Sequence, residues 1–203
     1  MDRILKAEGK STDDYKVAKQ ADTLMIFYNL DKDEIDSILT GLGYKLPKNY
    51  LKSNLEYYVQ RTSHGSTLSR VVHAWLANLI GDKKLSWKLY SEALSSDYDD
   101  IQGGTTGEGI HTGVMAGTVI IALMSYAGLN LRSDIVRFFP CLPEHWRNIS
   151  FNFRFRKNHY YCGISQEFIK IKVIGFDDKK AEVEVCGKKH LIDSNEWIKI
   201  KYN

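Results

Sequence analysis

The chain has 203 residues, 43% hydrophobic and 26% charged, proportions that place it among globular proteins and exclude a disordered or fibrous one. Its net charge of +3 comes from 28 basic and 25 acidic residues, an excess too small and too spread out to argue for nucleic acid as a partner. Three cysteines, Cys141, Cys162 and Cys186, match no zinc spacing and read as reduced, mostly core residues of a cytoplasmic protein.

No apolar region stands at the N-terminus, so no secretory signal is expected. Residues Met1–Asp14 are polar and without periodicity, and read as a loop. Over Lys16–Leu30 the apolar period becomes helical, with Val17, Ala21, Leu24, Met25 and Tyr28 on one face. That places Lys19 and Gln20 in a first helical turn, where a lysine meets the positive end of the dipole unfavourably. Asp31–Leu42 reads as a second helix, with Asp31 as N-cap and a stripe of Ile35, Ile38, Leu39 and Leu42. Pro47 marks a break within Gly43–Lys48. A third helix follows over Lys48–Val59, carrying Tyr50, Leu51, Leu55 and Tyr58.

Arg61–Ser69 is a dense polar cluster ahead of an apolar helix, Arg70–Ile80, which Ser66 or Thr67 could cap. Gly81–Asp82 ends that helix, and Leu85–Leu94 forms the next with Leu85, Leu89 and Ala93 inward. Asp97–Ile101 is acidic and turn-like. It leads into Gly103–Gly117, which reads GGTTGEGIHTGVMAG and runs on into an uncharged segment ending at Leu129. That segment is short for a bilayer and holds Gly, Thr and Ser, so a fully buried helix is expected and no membrane.

About six helices, alternately amphipathic and almost wholly apolar, suit a double-layered helical toroid. After Pro140–Pro143 the period changes to two. Phe151, Phe153 and Phe155 alternate with polar neighbours, as do Ile169, Ile171 and Val173, then Val183 and Val185, then Ile198, Ile200 and Tyr202. With turn signals at Asp177–Lys180 and Gly187–Lys189, residues 150–203 read as one antiparallel unit of about five strands.

Two stretches could carry chemistry. Gly-rich turns feeding helix starts expose unpaired N–H groups at the positive dipole end, a recipe for holding an anion. Gly103–Gly117 adds His111 as a possible charge-assisted donor. The cluster at 61–69 adds hydroxyls and His64. For each, the residues alone favour a plainer reading: a glycine turn that permits close packing, and a helix cap with spare hydroxyls.

Four motifs occur in order: Lys-Gln-Ala-Asp at 19–22, Arg-Thr-Ser-His-Gly-Ser-Thr-Leu-Ser at 61–69, Thr-Thr-Gly-Glu-Gly-Ile-His-Thr-Gly-Val-Met-Ala-Gly at 105–117, and Pro-Cys-Leu-Pro-Glu-His-Trp at 140–146. Together they resemble the C-terminal part of glycoside hydrolase family 65, which contains the maltose, trehalose, nigerose and kojibiose phosphorylases and some hydrolases. The resemblance implies a mainly α chain with a C-terminal β unit. Residues 1–149 would be the C-terminal half of an (α/α)6 catalytic barrel, and residues 150–203 an antiparallel β-sheet domain. The missing half of the toroid should leave inner helices exposed. The expected partners of this face are the absent N-terminal part or a second copy of the chain.

The resemblance also implies roles. Lys19 and Gln20 match a pair that hydrogen-bonds a glucosyl unit. His64, Ser66 and Thr67 match a phosphate-binding loop, and Gly109 and His111 the opposite wall of that pocket. Glu108 lies in the motif without an assigned role. The general-acid glutamate is expected upstream, so no residue of this chain is read as catalytic and the isolated chain is expected to be inactive. The activity implied is inverting phosphorolysis of an α-glucobiose to β-glucose 1-phosphate and glucose, with inorganic phosphate as co-substrate and no cofactor or metal. Thr105–Thr106 with Gly-Ile-His-Thr-Gly looks closer to the trehalose, nigerose and kojibiose group. Two other readings stand beside it: a family hydrolase using Glu108 as base, and a non-catalytic binding or assembly module.

Overall fold

The requirement that buried backbone groups find partners decides the first departure from the sequence pattern. The computed structural model describes residues 2–101, 107, 109–175 and 180–203. Within them the expected helix Lys16–Leu30 shrinks to α2, Met25–Asn29. Residues 16–24 run instead as extended and bent chain, and Ala18 bridges Thr62 in parallel. The Ala18 N–H donates to the Arg61 carbonyl at 2.9 Å, and the Ser63 N–H to the Ala18 carbonyl at 2.8 Å. A neighbouring loop thus satisfies the groups that a helix would have satisfied internally, and Val17, expected inside, is exposed.

The N-terminal stretch is more ordered than its composition suggests. A short helix α1, Asp2–Ala7, and a 3-10 turn, Thr12–Asp14, stand where a loop was expected, with Leu5 buried. Helix α3, Lys32–Gly41, begins where Asp31 predicts, and the Glu34 carboxylate accepts the Asp31 N–H at 2.8 Å, one arm of a capping box. Of its stripe only Ile35 is buried, while Ile38 and Leu42 are exposed. Helix α4, Tyr50–Val59, buries Tyr50 and Leu55. These two residues join Ala21, Leu24, Phe27, Ile35, Val72, Leu76 and Ala77 in one core.

Helices α5, Leu68–Leu79, and α6, Lys83–Ser95, form an antiparallel hairpin. The Asp82 carboxylate accepts the Leu85 N–H at 3.0 Å, so the residue read as a terminator caps the next helix. The Ser86 hydroxyl donates to the Ala74 carbonyl at 2.8 Å and the Arg70 guanidinium to Glu92 at 3.0 Å, which sets the register of the pair. Helix α7, Thr112–Ile120, packs on both. A Cβ on Gly117 would stand 2.9 Å from a Val71 methyl, so glycine permits this close approach of α7 to α5.

The uninterrupted buried helix expected to reach Leu129 is not found. It becomes a π-helical stretch, Ile121–Tyr126, and then strand β1, Leu129–Asn130, while Val119 and Ile120 remain exposed. No described helix is long and apolar enough to cross a membrane.

Two compact units divide the chain, Met1–Ile121 and Ala122–Asn203. The second begins well before the boundary expected at residue 150, because β1 and β2, Val136–Phe138, pair with later strands. It holds two four-stranded sheets rather than one unit of about five strands. The first runs β1-β2-β6-β7, with β6 spanning Ala181–Val185 and β7 spanning Lys188–Ile192. Its β2–β6 pair is parallel, Val136 opposite Val183, so the unit is not wholly antiparallel.

The second sheet runs β3-β4-β5-β8, comprising Asn148–Phe155, Asn158–Ser165, Phe168–Ile174 and Trp197–Lys201, and is antiparallel throughout. Alternation holds strand by strand: Tyr160, Cys162 and Ile164, then Ile169, Ile171 and Val173, are buried. Cys186 and Gly187, at φ of 48° and 80°, form the two-residue turn between β6 and β7, as primed hairpin turns require. Cys162 is buried, whereas Cys186 is exposed and Cys141 half-buried, so two of the three free thiols lie outside the expected core. The turn signal at 177–179 lies outside the described residues.

Gly128 has φ +69°, and a Cβ there would sit 2.1 Å from the Phe139 backbone. Gly128→Ala combines backbone strain with overpacking and should destabilise the unit by roughly 2–4 kcal/mol. Urea unfolding followed by tryptophan fluorescence checks this; a midpoint unchanged from wild type would disprove the close approach.

Candidate functional site

Three helices set the geometry. Arg70, in the first turn of α5, meets Glu92 near the end of α6. Asp97, just past that end, meets His111 at the start of α7. The N-termini of α5 and α7 therefore lie at the same end of the layer, and each is preceded by one of the two candidate loops. Both ends present the positive pole of a helix dipole.

The loop before α5 is anchored through its backbone. The Gly65 N–H donates to the Lys19 carbonyl at 2.9 Å, and the Ser63 hydroxyl to the same carbonyl at 3.3 Å. This brings the Lys-Gln segment directly against the serine-rich loop. A Cβ on Gly65 would stand 3.1 Å from Cγ of Lys19 and 3.3 Å from its carbonyl oxygen, so a side chain here would press on Lys19. Lys19 and Gln20 are both exposed and lie in loop rather than in a helical turn. The dipole argument made for Lys19 therefore does not apply. Gln20 borders a cleft of about 190 Å³ with Asp22, Met25, Leu68 and Ser69.

Ser66 caps α5: its hydroxyl oxygen accepts the Leu68 N–H at 3.3 Å. Thr67, the residue preceding the helix, is buried and makes no side-chain cap. His64 sits at φ +49°, a conformation uncommon outside glycine. Its ring meets that of His73 edge-on at 5.1 Å. Burial is the main force on His64, pushing its pKa from 6.5 down to about 4, with the adjacent His73 and Arg70 pushing the same way. The imidazole is therefore neutral near pH 7, with one N–H to donate. His73 is fully buried in α5. Its Nδ1 donates to the Ser69 carbonyl at 2.7 Å, and the Thr62 hydroxyl lies 3.4 Å from Nε2.

The loop before α7 has a different anchor. The His111 N–H donates to Asp97 Oδ2 at 2.7 Å, and its ring Nδ1 to Asp97 Oδ1 at 2.6 Å. Both carboxylate oxygens are engaged, and the His111 bonds hold the Asp97 carboxyl below its usual range. With Nδ1 committed, Nε2 is the ring atom left to face a ligand. Gly109, at φ +99°, stands in open space, and the next residue, Ile110, is exposed. Glu108 lies outside the described residues. Among the described residues no group of His, Cys, Asp and Glu is placed to hold a metal ion.

Sequence reasoning missed Asp97, which it read as part of an acidic turn, and the Arg70–Glu92 pair. No local pattern links Asp97 to His111, since the pair is closed by a loop. For His73, the signal was present: Ser69 and His73 stand four apart on one helical face.

Residues 1–120 match the glycosyl hydrolase family 65 central catalytic domain, and residues 129–192 the C-terminal domain of the same family. A trehalose 6-phosphate phosphorylase of Lactococcus lactis subsp. lactis (strain IL1403) is 47% identical over 77% of this chain and 20% of its own length. An α,α-trehalose phosphorylase of Geobacillus stearothermophilus is 24% identical over 93% of this chain and 23% of its own. A solved structure, described as a candidate kojibiose phosphorylase from the human microbiome, aligns with a TM-score of 0.70 at 25% identity. It covers 92% of this chain and 24% of the other. The chain thus spans about a fifth to a quarter of the length of these relatives.

The folded pKa of His64, about 4, lies below its unfolded value of 6.5. The fold therefore favours the neutral ring, and this contribution is complete above pH 6.5 and is lost as pH falls toward 4. His64→Gln should flatten the acid limb of the stability curve between those values. Urea unfolding across pH 4–7 measures it; an unchanged limb would refute the burial argument.

Proposed function

The chain belongs to glycosyl hydrolase family 65, and from that premise we propose that it supplies one wall of the active site of an inverting disaccharide phosphorylase. The observation that supports the reading is the seating of Lys19 on the Gly65 backbone, which brings the segment assigned here to sugar against the loop assigned to phosphate. Bound phosphate takes the place of the base-activated water of an inverting hydrolase. A phosphate oxygen attacks C1 of the glucosyl unit from the face opposite the bond that breaks. A carboxylic acid from a preceding segment gives its proton to the departing glycosidic oxygen. The products are β-glucose 1-phosphate and the acceptor sugar.

In this scheme Lys19 and Gln20 hold the glucosyl hydroxyls. The hydroxyls of Ser66 and Thr67, with the N–H of His64, receive the phosphate at the positive end of α5. Gly109 and Nε2 of His111 close the pocket from the start of α7. Hydroxyls and a neutral imidazole donate hydrogen bonds without holding product by a fixed charge, while the dipoles favour the anion. No cofactor or metal takes part. The preceding half of an (α/α)6 barrel completes the pocket and covers the apolar residues Ile110, Val119 and Ile120. The three free thiols suit a reducing, cytoplasmic setting.

The substrate is an α-glucobiose of the trehalose, nigerose or kojibiose type. The 47% identity to a trehalose 6-phosphate phosphorylase favours a second reading within the class, in which the trehalose acceptor glucose carries a 6-phosphate. Glucose 6-phosphate would then leave in place of glucose.

Two measurements test the proposal. The 203-residue chain alone should release no glucose 1-phosphate, whereas the longer protein carrying this sequence should do so only when phosphate is supplied. Turnover indifferent to phosphate would reject phosphorolysis in favour of hydrolysis. In the same protein, Ser66→Ala should raise KM for phosphate about tenfold, the scale of one lost hydrogen bond to an anion, with KM for the disaccharide unchanged. An equal rise in both would sink the assignment of this loop to phosphate.

A further inference from the structure

Helix α5 opens on a charge that its position should reject. Arg70 stands in the first turn, where a cation meets the positive pole of the helix dipole. It is also buried, with 9% of its surface exposed, and burying a charge is costly unless it is paired and hydrogen-bonded throughout. Glu92 accepts from Nε at 3.0 Å, yet Nη1 is buried with no hydrogen-bond partner among the described residues. The two partners are unevenly shielded: the Arg70 side chain is 11% exposed and the Glu92 side chain 34%. Water therefore screens the carboxylate more than the guanidinium, and the pair leaves a positive field at the helix start.

That field reaches the serine-rich loop. Thr67 and Arg70 stand three residues apart on one helical face, and both are buried. After burial and the His73 ring, Arg70 is the next force lowering the His64 pKa, and Glu92 opposes it. Both charges are thus within electrostatic reach of the loop, and they act on it with opposite signs. Through Glu92, Arg70 also ties the start of α5 to the end of α6, beyond which Asp97 holds His111.

Registering the α5–α6 hairpin is the ordinary purpose of such a pair. That purpose needs neither burial nor a place in the first turn, since an exposed pair farther along the helices would serve at less cost. A cation buried at a positive helix end is relieved by a multivalent anion at the same end. The groups assigned to the anion on this loop, hydroxyls and a neutral imidazole, carry no charge of their own. Given that assignment, on which this inference rests, we propose that Arg70 is a positioning residue for phosphate at the start of α5, setting the affinity of the loop for the anion through its buried charge, with Glu92 as the counterweight. Buried and bonded to Glu92, the guanidinium pulls on the anion through space rather than by contact, and Glu92 keeps that pull partial.

The test is steady-state kinetics of the longer protein carrying this sequence, with phosphate and disaccharide varied in turn. Arg70→Gln should raise KM for phosphate about tenfold and Glu92→Gln should lower it about threefold, the scale of one partly screened charge, with KM for the disaccharide moving less than about twofold in each. Arg70→Lys, which keeps the charge, should stay within about threefold of wild type. The opposite signs separate the two roles, since a pair that only registers the hairpin is harmed alike by the loss of either partner. Glu92→Gln keeps an acceptor for Nε and decides the outcome should Arg70→Gln fold poorly. A KM for phosphate that fails to fall in Glu92→Gln, or equal rises for phosphate and disaccharide in Arg70→Gln, would overturn the role of Arg70. A wild-type protein whose turnover ignores phosphate would instead reject the phosphorolytic reading itself.

Discussion

The candidate site depends on a few main-chain hydrogen bonds between two segments more than forty residues apart. Residues 18 and 19 donate to and accept from Arg61, Ser63 and Gly65. Backbone groups must be paired wherever water is excluded, and this pairing fixes where the Lys-Gln segment lies. The approach is close at Gly65, where a Cβ would come within 3.1 Å of Lys19. The contact brings the Lys-Gln segment and the serine-rich loop together as one surface.

The three-helix layer then decides how the two loops relate. The α5–α6 hairpin is registered by Ser86 on Ala74 and by Arg70 on Glu92. The Asp97–His111 pair returns the chain to the same end. The two histidines reach that end in different states. His64 is kept neutral by burial and by the positive Arg70 close by. His111 is oriented by a carboxylate that accepts from both its backbone and its ring. A neutral donor and an oriented donor at helix N-termini form a setting that favours an anion.

The C-terminal unit solves a different problem. A few strands bury little by themselves, and the unit gains its core by drawing in β1 and β2 from the segment that follows α7. The parallel β2–β6 pairing is the consequence, since β2 reaches β6 only after β3, β4 and β5 have been laid down as a separate sheet. Two sheets leave end strands, β7 and β8 among them.

Much of this was legible in the sequence because it rests on local rules. Asp31 with Glu34 marks a helix start through side chains that reach only three residues. Ser66 lies two residues from the amide it caps, and the alternation of Ile169, Ile171 and Val173 follows from the two-residue period of a strand. Helix-start chemistry singled out His64 and His111 as anion-site candidates, whereas the sugar-binding expectation for Lys19 and Gln20 came from motif resemblance. What only the tertiary structure decided is what depends on distant partners. The apolar spacing of 16–30 permits a helix, yet its first half is extended because the Arg61–Gly65 backbone competes for its hydrogen bonds. Asp97 looks like any acidic turn until α7 folds back beside it. Spacing along the chain encodes which face a residue takes, but not which remote segment will meet that face, because that choice is made by the packing of the whole unit.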